Sequence, residues 1–541
     1  MINSTKWKDA ERFIGGLKFA VILIALFTIS MIVGTFVESY FGTDFANRLI
    51  YKSPLFMLLQ FLLFLSILMA TLLRLPPKKR LWGFYVIHGG LLLIGCGAFI
   101  TYVSGIDGHV TLLPKEPTRT IELSEDIVHV KFHKTDKILT LPLPYSAFPK
   151  IIDHSLSEIQ VEKYLPFSEY QVTWLKSTSK ISKLSAFYTI FTDSMSEEIK
   201  LSLHPDSEKI ESGLRVGPLK VYLFPKPLLN CLTSQNKSKL IIWNIQSDEC
   251  YHPESKGLEV TQSGGHLNIL KVPHEGATYY FVPDKSPFPL NEQFQFYAQA
   301  PLRVISKDSF DARTALYLFG DQVSYIDKMS KQWVVKSFKD NPQGIPLPWM
   351  KLKIELNRHS KTEYPTLLPK YTLPKQKNGK LVYGGEKSLS ILYMGKRHWA
   401  SSSNPLTLNS GKNRIVVSID RKKLTLPFAL TLDRFKMDTS PGTEMPSSYE
   451  SYVYLLNGKG VTQHHVFMNN PLKTQDFTFY QSSYFPYQQG GYASVFSANI
   501  DPGRIFKYLG SLLLVLGAIW HYLLNRNRKV LRPANSAKVL S

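Results

Sequence analysis

The sequence predicts a multi-pass α-helical membrane protein, with four transmembrane helices and a large β-rich external domain inserted between helices three and four. Three observations carry this. Four apolar blocks are each near the roughly 20 residues that a helix needs to cross about 30 Å of hydrocarbon. Basic residues gather at alternate ends of those blocks. About 400 residues between the third and fourth blocks are written in short β-branched and aromatic runs separated by turn residues.

Residues 1–16 form a basic N-terminus (Lys6, Lys8, Arg12) ahead of a first span at 17–37. That block is too long for a signal-peptide core and has no small-residue cleavage site after Val37, so it reads as an uncleaved anchor. The loop 38–53 holds only Arg48 and Lys52 against Glu38 and Asp44. The second span, 54–75, contains the run LFMLLQFLLFLSILMATLL, with neither a charge nor a polar stripe. A basic loop follows at 76–82, after Arg74 and with Lys78, Lys79 and Arg80, and then a third span at 83–103. The fourth span, 505–524, leads into a basic tail, 525–541, with Arg526, Arg528, Lys529, Arg532 and Lys538. Lys and Arg in short loops are retained on the cytoplasmic side. Both termini are therefore expected inside, and residues 104–504 outside, in a periplasm or its equivalent.

The external runs include HVKFH, LKVYLF, KLIIWNI, TYYFV, KLKIEL, RIVVSI and SYVYLL, and most of the 33 prolines fall between such runs. Sandwich or barrel-like sheets are expected, with a weak internal echo between residues 345–369 and 424–448. Net charge is +22, but the cations are scattered over the external domain as well as clustered at the inner loops, so nucleic acid is not an expected partner. Cys96 lies within the third span. Cys231 and Cys250 lie outside, where a disulfide could form if their Cα atoms came within about 7 Å; two free thiols are the alternative that the sequence leaves open, only a little less favoured. No Cys-x-x-Cys pair, zinc spacing, P-loop or Ser-His-Asp arrangement stands out.

Within the third span, His88 sits among apolar neighbours about 7–8 Å inside the inner boundary. An ionisable side chain at that depth faces the bundle interior and has a partner or a task. Neutral imidazole is an axial ligand for haem iron, and a packing histidine bonded to a nearby carbonyl is the other reading. Leu91, Leu92, Gly95 and Phe99 share its helical face, with Gly95 as a flat place for a macrocycle or another helix. His521, near the inner end of the fourth span, either flanks the same iron or reaches toward the headgroups. His464 and His465 are adjacent, and on a strand they point to opposite faces.

The chain also resembles the ResB family, also called CcsB, of system II cytochrome c biogenesis. The residues carrying the resemblance run from end to end: Ile32-Val33-Gly34-Thr35, Tyr85 to Leu91 (YVIHGGL), Gly105-Ile106-Asp107-Gly108, Met468 to Leu472 (MNNPL), Phe479 to Tyr484 (FYQSSY), Asp501-Pro502-Gly503, and Tyr508 to Ser511 (YLGS). The three-plus-one helix layout also agrees.

The resemblance implies a subunit of a haem-export and holocytochrome c synthetase complex in the cell inner (plasma) membrane, not an enzyme on its own. Its cargo would be haem b, taken from the cytoplasmic side. His88 matches the family's third-span histidine, an axial ligand of the haem iron. The implied partners are a polytopic CcsA/ResC-like membrane protein, apocytochrome c, and a thioredoxin-like thiol reductant that keeps the Cys-x-x-Cys-His thiols reduced until they add to the haem vinyl groups. An envelope scaffold with a cofactor-free β domain is the alternative.

Overall fold

The computed structural model describes residues 4–526 apart from 178–182, 208–209, 235–237, 264–266, 294, 298–299, 312–314, 378–379, 411–412, 443–445, 459 and 489. The tail residues Arg528, Lys529, Arg532 and Lys538 lie outside the described residues.

The helices are α1 (Ser4–Ile14), α2 (Leu17–Phe41), α3 (Thr43–Ala46), α4 (Pro54–Leu72), α5 (Trp82–Ser104), α6 (Lys226–Thr233), α7 (Asp308–Asp311) and α8 (Arg504–Arg526). Among them α2, α4, α5 and α8 are long and apolar enough to cross a membrane. The segment 38–53 is folded rather than looped. Helix α2 runs on to Phe41, Gly42 turns the chain at φ +88°, and α3 passes into a π-helical turn, Asn47–Tyr51. Ser53 then caps α4, its hydroxyl accepting from the Phe56 N–H at 3.3 Å, and Pro54 stands where no helical N–H is needed.

Helices α5 and α8 meet along a seam of glycines. Gly83, Gly90 and Gly97 recur every seven residues on α5, and Gly503, Gly510 and Gly517 do the same approaching and along α8. A Cβ at Gly90 would stand 2.6 Å from the Gly510 carbonyl oxygen, and one at Gly97 2.8 Å from that of Gly503. One at Gly517 would stand 2.8 Å from the Ile87 nitrogen. Nothing larger than hydrogen fits, so the two backbones pack directly, as small residues allow in a solvent that gives no hydrophobic drive between helices. At the Gly97–Gly503 end Lys507 Nζ lies 2.7 Å from Asp501, whose carboxylate also accepts from Thr101 Oγ1 at 2.5 Å.

The chain falls into two compact units, Met1–Glu169 with Lys370–Ser541, and Tyr170–Pro369. The first holds all four spans and a ten-stranded antiparallel sheet. The strand leaving α5, Ile106–Leu112, lies beside the strand entering α8, Tyr492–Ile500, in register from Ile106↔Ile500 to Leu112↔Ser494. The helix pair thus continues into a strand pair. Outward from it the order is Pro117–Phe132, Asn413–Thr439, Pro446–Asn457 and Gly460–Val466 on one side, and Phe477–Pro486 and Leu472–Thr474 on the other. Strand alternation buries Val110, Leu112, Ile121, Phe428, Phe479 and Phe496 together. A second core joins Val128 and Val130 to Val161, Tyr164, Leu389 and Ile391.

A buried charge cluster ties the segment between α2 and α4 to these strands. Arg48, fully buried, donates to Asp126 Oδ2 at 2.5 Å and to Asp44 Oδ1 at 3.0 Å. Asp126, also buried, accepts from Tyr164 Oη at 2.9 Å and is paired with Lys387 and, at 3.3 Å, Arg421. Burial pushes the Asp126 carboxyl up, but Lys387, Arg48 and Arg421 outweigh it and hold it below its ordinary value. Burial and Asp44 push the nearby Tyr145 up to about 12. Phe45, Ala147 and Phe167 close the apolar side of the junction.

The second unit is also mainly β. Its core joins Tyr188, Ile190, Leu201, Val221, Leu316 and Ile354, and its Leu219–Leu223 and Ala315–Leu318 strands run parallel. Cys231 of α6 and Cys250 form a disulfide, with Cα atoms 6.6 Å apart, which settles the pairing that the spacing left open. The internal echo does not correspond to a duplicated unit: Asn413–Thr439 pairs with the strand after it, whereas Lys353–Ser360 pairs with Ser185–Phe191.

Candidate functional site

Helix α5 turns its glycine face to α8, and a different face carries His88, six residues or about 9 Å beyond the helix start. The imidazole Nδ1 lies 3.0 Å from the Phe84 carbonyl oxygen one turn back. A carbonyl can only accept, so in the neutral ring Nδ1 carries the proton and Nε2 keeps its in-plane lone pair. Among the described residues Nε2 has no hydrogen-bond partner. The ring packs on Phe84, centroid to centroid 3.7 Å, and Arg74 lies over that same phenyl ring at 4.7 Å. Arg74 is fixed from both sides: its carbonyl accepts from Tyr85 Oη at 2.5 Å, and its guanidinium donates to the Ala70 carbonyl at 2.7 Å.

This arrangement fits an iron macrocycle in two respects. The tautomer presents a nitrogen lone pair, as a second-sphere carbonyl does for metal-binding histidines. Next to it, Gly89 leaves the backbone uncovered, since a Cβ there would meet nothing within 4 Å. Gly95 is different. Phe64 of α4 stands beside it, with a ring carbon 2.6 Å from where a Cβ would stand, so the flat spot expected there is met by a side chain of a neighbouring helix.

Beyond Gly95 a cleft of about 710 Å³ lies between α2, α4 and α5, lined by Phe27, Gln60, Phe64, Cys96, Phe99 and Tyr102. His88 does not line it. Gly95 is seven residues, roughly 10 Å along the axis, from His88.

The other histidines are not gathered here. His521 packs its backbone against Gly83, whose Cβ would stand 2.6 Å from His521 Cα. Gly83 is five residues from His88, about 7–8 Å along α5 and about 140° around it. The two imidazoles are therefore not brought to opposite sides of one iron. His465 Nε2 lies 2.7 Å from Glu450 and stacks on Tyr452, while His464 bonds Thr462, so these neighbours share no partner. Among the described residues no group of three or more His, Cys, Asp and Glu side chains converges to hold a metal ion. Phe84 is absent from the expectations drawn from sequence, and Arg74 enters them only as an orienting charge and not as a site residue; an aromatic residue four before His88 was the visible sign.

Residues 397–493 match the model of the ResB-like family. That segment is similar to the ResB-like family. A second comparison gives 32% identity over 148 residues with Protein NrfI of Wolinella succinogenes, covering 26% of this chain and 16% of that one. The ResB-like segment begins in the strand Lys396–Ser401, takes in most of the ten-stranded sheet's second half, and stops within Tyr492–Ile500, just before α8. It contains the MNNPL and FYQSSY stretches; His88 lies outside it.

Proposed function

We propose that this chain is the haem-receiving subunit of a membrane machine for cytochrome c biogenesis, and that His88 Nε2 is an axial ligand of the haem it passes on. The observation carrying this is the Nδ1–H bond to Phe84, which leaves a free lone pair on an imidazole at membrane depth. In this reading haem b is cargo, taken near the inner face, where Arg74, Lys78, Lys79 and Arg80 mark the cytoplasmic side. Attachment to apocytochrome c takes place outside, with a CcsA/ResC-like partner and a thiol reductant. The Cys231–Cys250 disulfide supports an oxidising compartment, such as a periplasm, for the residues between α5 and α8.

The chain's own part is to orient and to release. Phe84 fixes the tautomer and one side of the ring, and Gly89 leaves room beside it. Replacing His88 with Ala should strip haem from the complex purified with its partner and abolish holocytochrome c formation, while protein abundance stays near normal. Added imidazole should restore the Soret band by entering the space left. A His88→Ala complex with a wild-type haem spectrum and full cytochrome assembly would overturn the assignment.

A further inference from the structure

We propose that Arg74 is a second contact of the His88 site: its guanidinium receives a carboxylate of the ligand whose metal His88 binds, so the site selects a carboxylate-bearing macrocycle in one orientation. This rests on the His88 reading above and deepens it.

Phe84 sets the geometry. One phenyl ring has the Arg74 guanidinium 4.7 Å from its centroid and the His88 imidazole 3.7 Å from it. The guanidinium carbon and the centre of the imidazole ring are thus separated by no more than the sum of these two ring contacts, a reach comparable to that of a planar macrocycle with its side chains. Arg74 is also held in place, since Tyr85 bonds its carbonyl and Ala70 accepts from one guanidinium nitrogen. Only one of its five N–H donors is used by that bond.

Residues 45–106 contain neither Asp nor Glu, and among the described residues no carboxylate stands within ion-pair distance of Arg74. A lone cation beside an imidazole repels a bare metal ion. It attracts a metal complex that brings its own anion. The planar guanidinium suits a carboxylate, which it can take with two parallel N–H donors. A membrane phosphate could occupy the same cation, and the experiment separates the two.

The full-length protein in detergent is titrated with iron protoporphyrin IX and, separately, with its dimethyl ester, following the Soret band. Wild type should bind the diacid about tenfold more tightly than the diester, the usual scale for a charge-assisted hydrogen bond. Arg74→Gln should weaken diacid binding about tenfold, leave diester binding unchanged, and keep the band position that imidazole ligation sets. Arg74→Lys should recover part of the loss. Equal binding of diacid and diester by wild type, or equal weakening of both in Arg74→Gln, overturns the proposal and leaves Arg74 as a lipid or helix contact. If His88→Ala still gives the wild-type spectrum, the His88 reading falls and this one falls with it. If His88→Ala abolishes the spectrum yet both porphyrins bind wild type alike, only the Arg74 assignment fails.

Discussion

The glycine seam between α5 and α8 and the charge cluster around Asp126 both join distant parts of the chain, by opposite means. Along the seam Gly90 and Gly97 bring backbone against backbone with no charge involved. At the cluster Arg48, Lys387 and Arg421 converge on one buried carboxylate. The difference follows from the medium. In hydrocarbon, close approach of small residues is the available attraction. Just outside it, charges can be buried provided each finds a partner.

Asp126→Asn should have the largest effect. It leaves the buried Arg48 and Lys387 without their shared carboxylate, and removing one partner from a buried ion pair costs roughly 3–5 kcal/mol. The thermal midpoint of the full chain in detergent measures it; an unchanged midpoint would show the cluster to be ornamental. Gly90→Leu comes next. It drives a side chain into the Gly510 carbonyl, an overpacking that costs roughly 1–3 kcal/mol, visible as loss of the monodisperse peak in size-exclusion chromatography. A monodisperse, wild-type-stable Gly90→Leu protein would mean that the helices do not meet there.

Acid should distinguish the two regions. The folded Asp126 carboxyl is held below its ordinary value of 3.8, so the unfolded chain takes up the proton first as pH falls. Its contribution is fully present above about pH 4 and is lost below that, as pH falls through the lowered folded value. Gly90→Leu should retain this acid limb, and Asp126→Asn should flatten it. The smallest effect is expected one residue from the seam. Gly89→Ala meets nothing within 4 Å and should stabilise α5 by up to about 1 kcal/mol through helix propensity. A loss of stability there would show that the face beside His88 is covered.

The four spans were legible because hydropathy is a local property, and the β character because alternation is local too. The seam was equally visible, as glycines at 83, 90 and 97 and at 503, 510 and 517, but a reading by hydropathy weighs glycine as neutral and passes over its spacing. The second unit was not legible. Its insertion point near Glu169 and Tyr170 falls inside the continuous strand Ile159–Lys176, with no linker composition to mark it. Nor was the Asp126 cluster, whose members stand at 44, 48, 126, 164, 387 and 421 and meet only through strand order. At the site, His88 could be singled out by depth, and its Phe84 partner lies one turn away. Arg74 could not, because the turn through Pro76 and Pro77 that returns it to α5 is a tertiary feature.

The seam also sets a timetable for synthesis. The glycine face of α5 is complete when Ser104 has been made, yet its partner α8 begins only at Arg504. At ~5–20 residues per second, the ribosome needs roughly 20–80 s to make what lies between, all of which precedes the closing helix. Throughout that interval α5 carries an open backbone groove, which is sealed only when α8 follows it out.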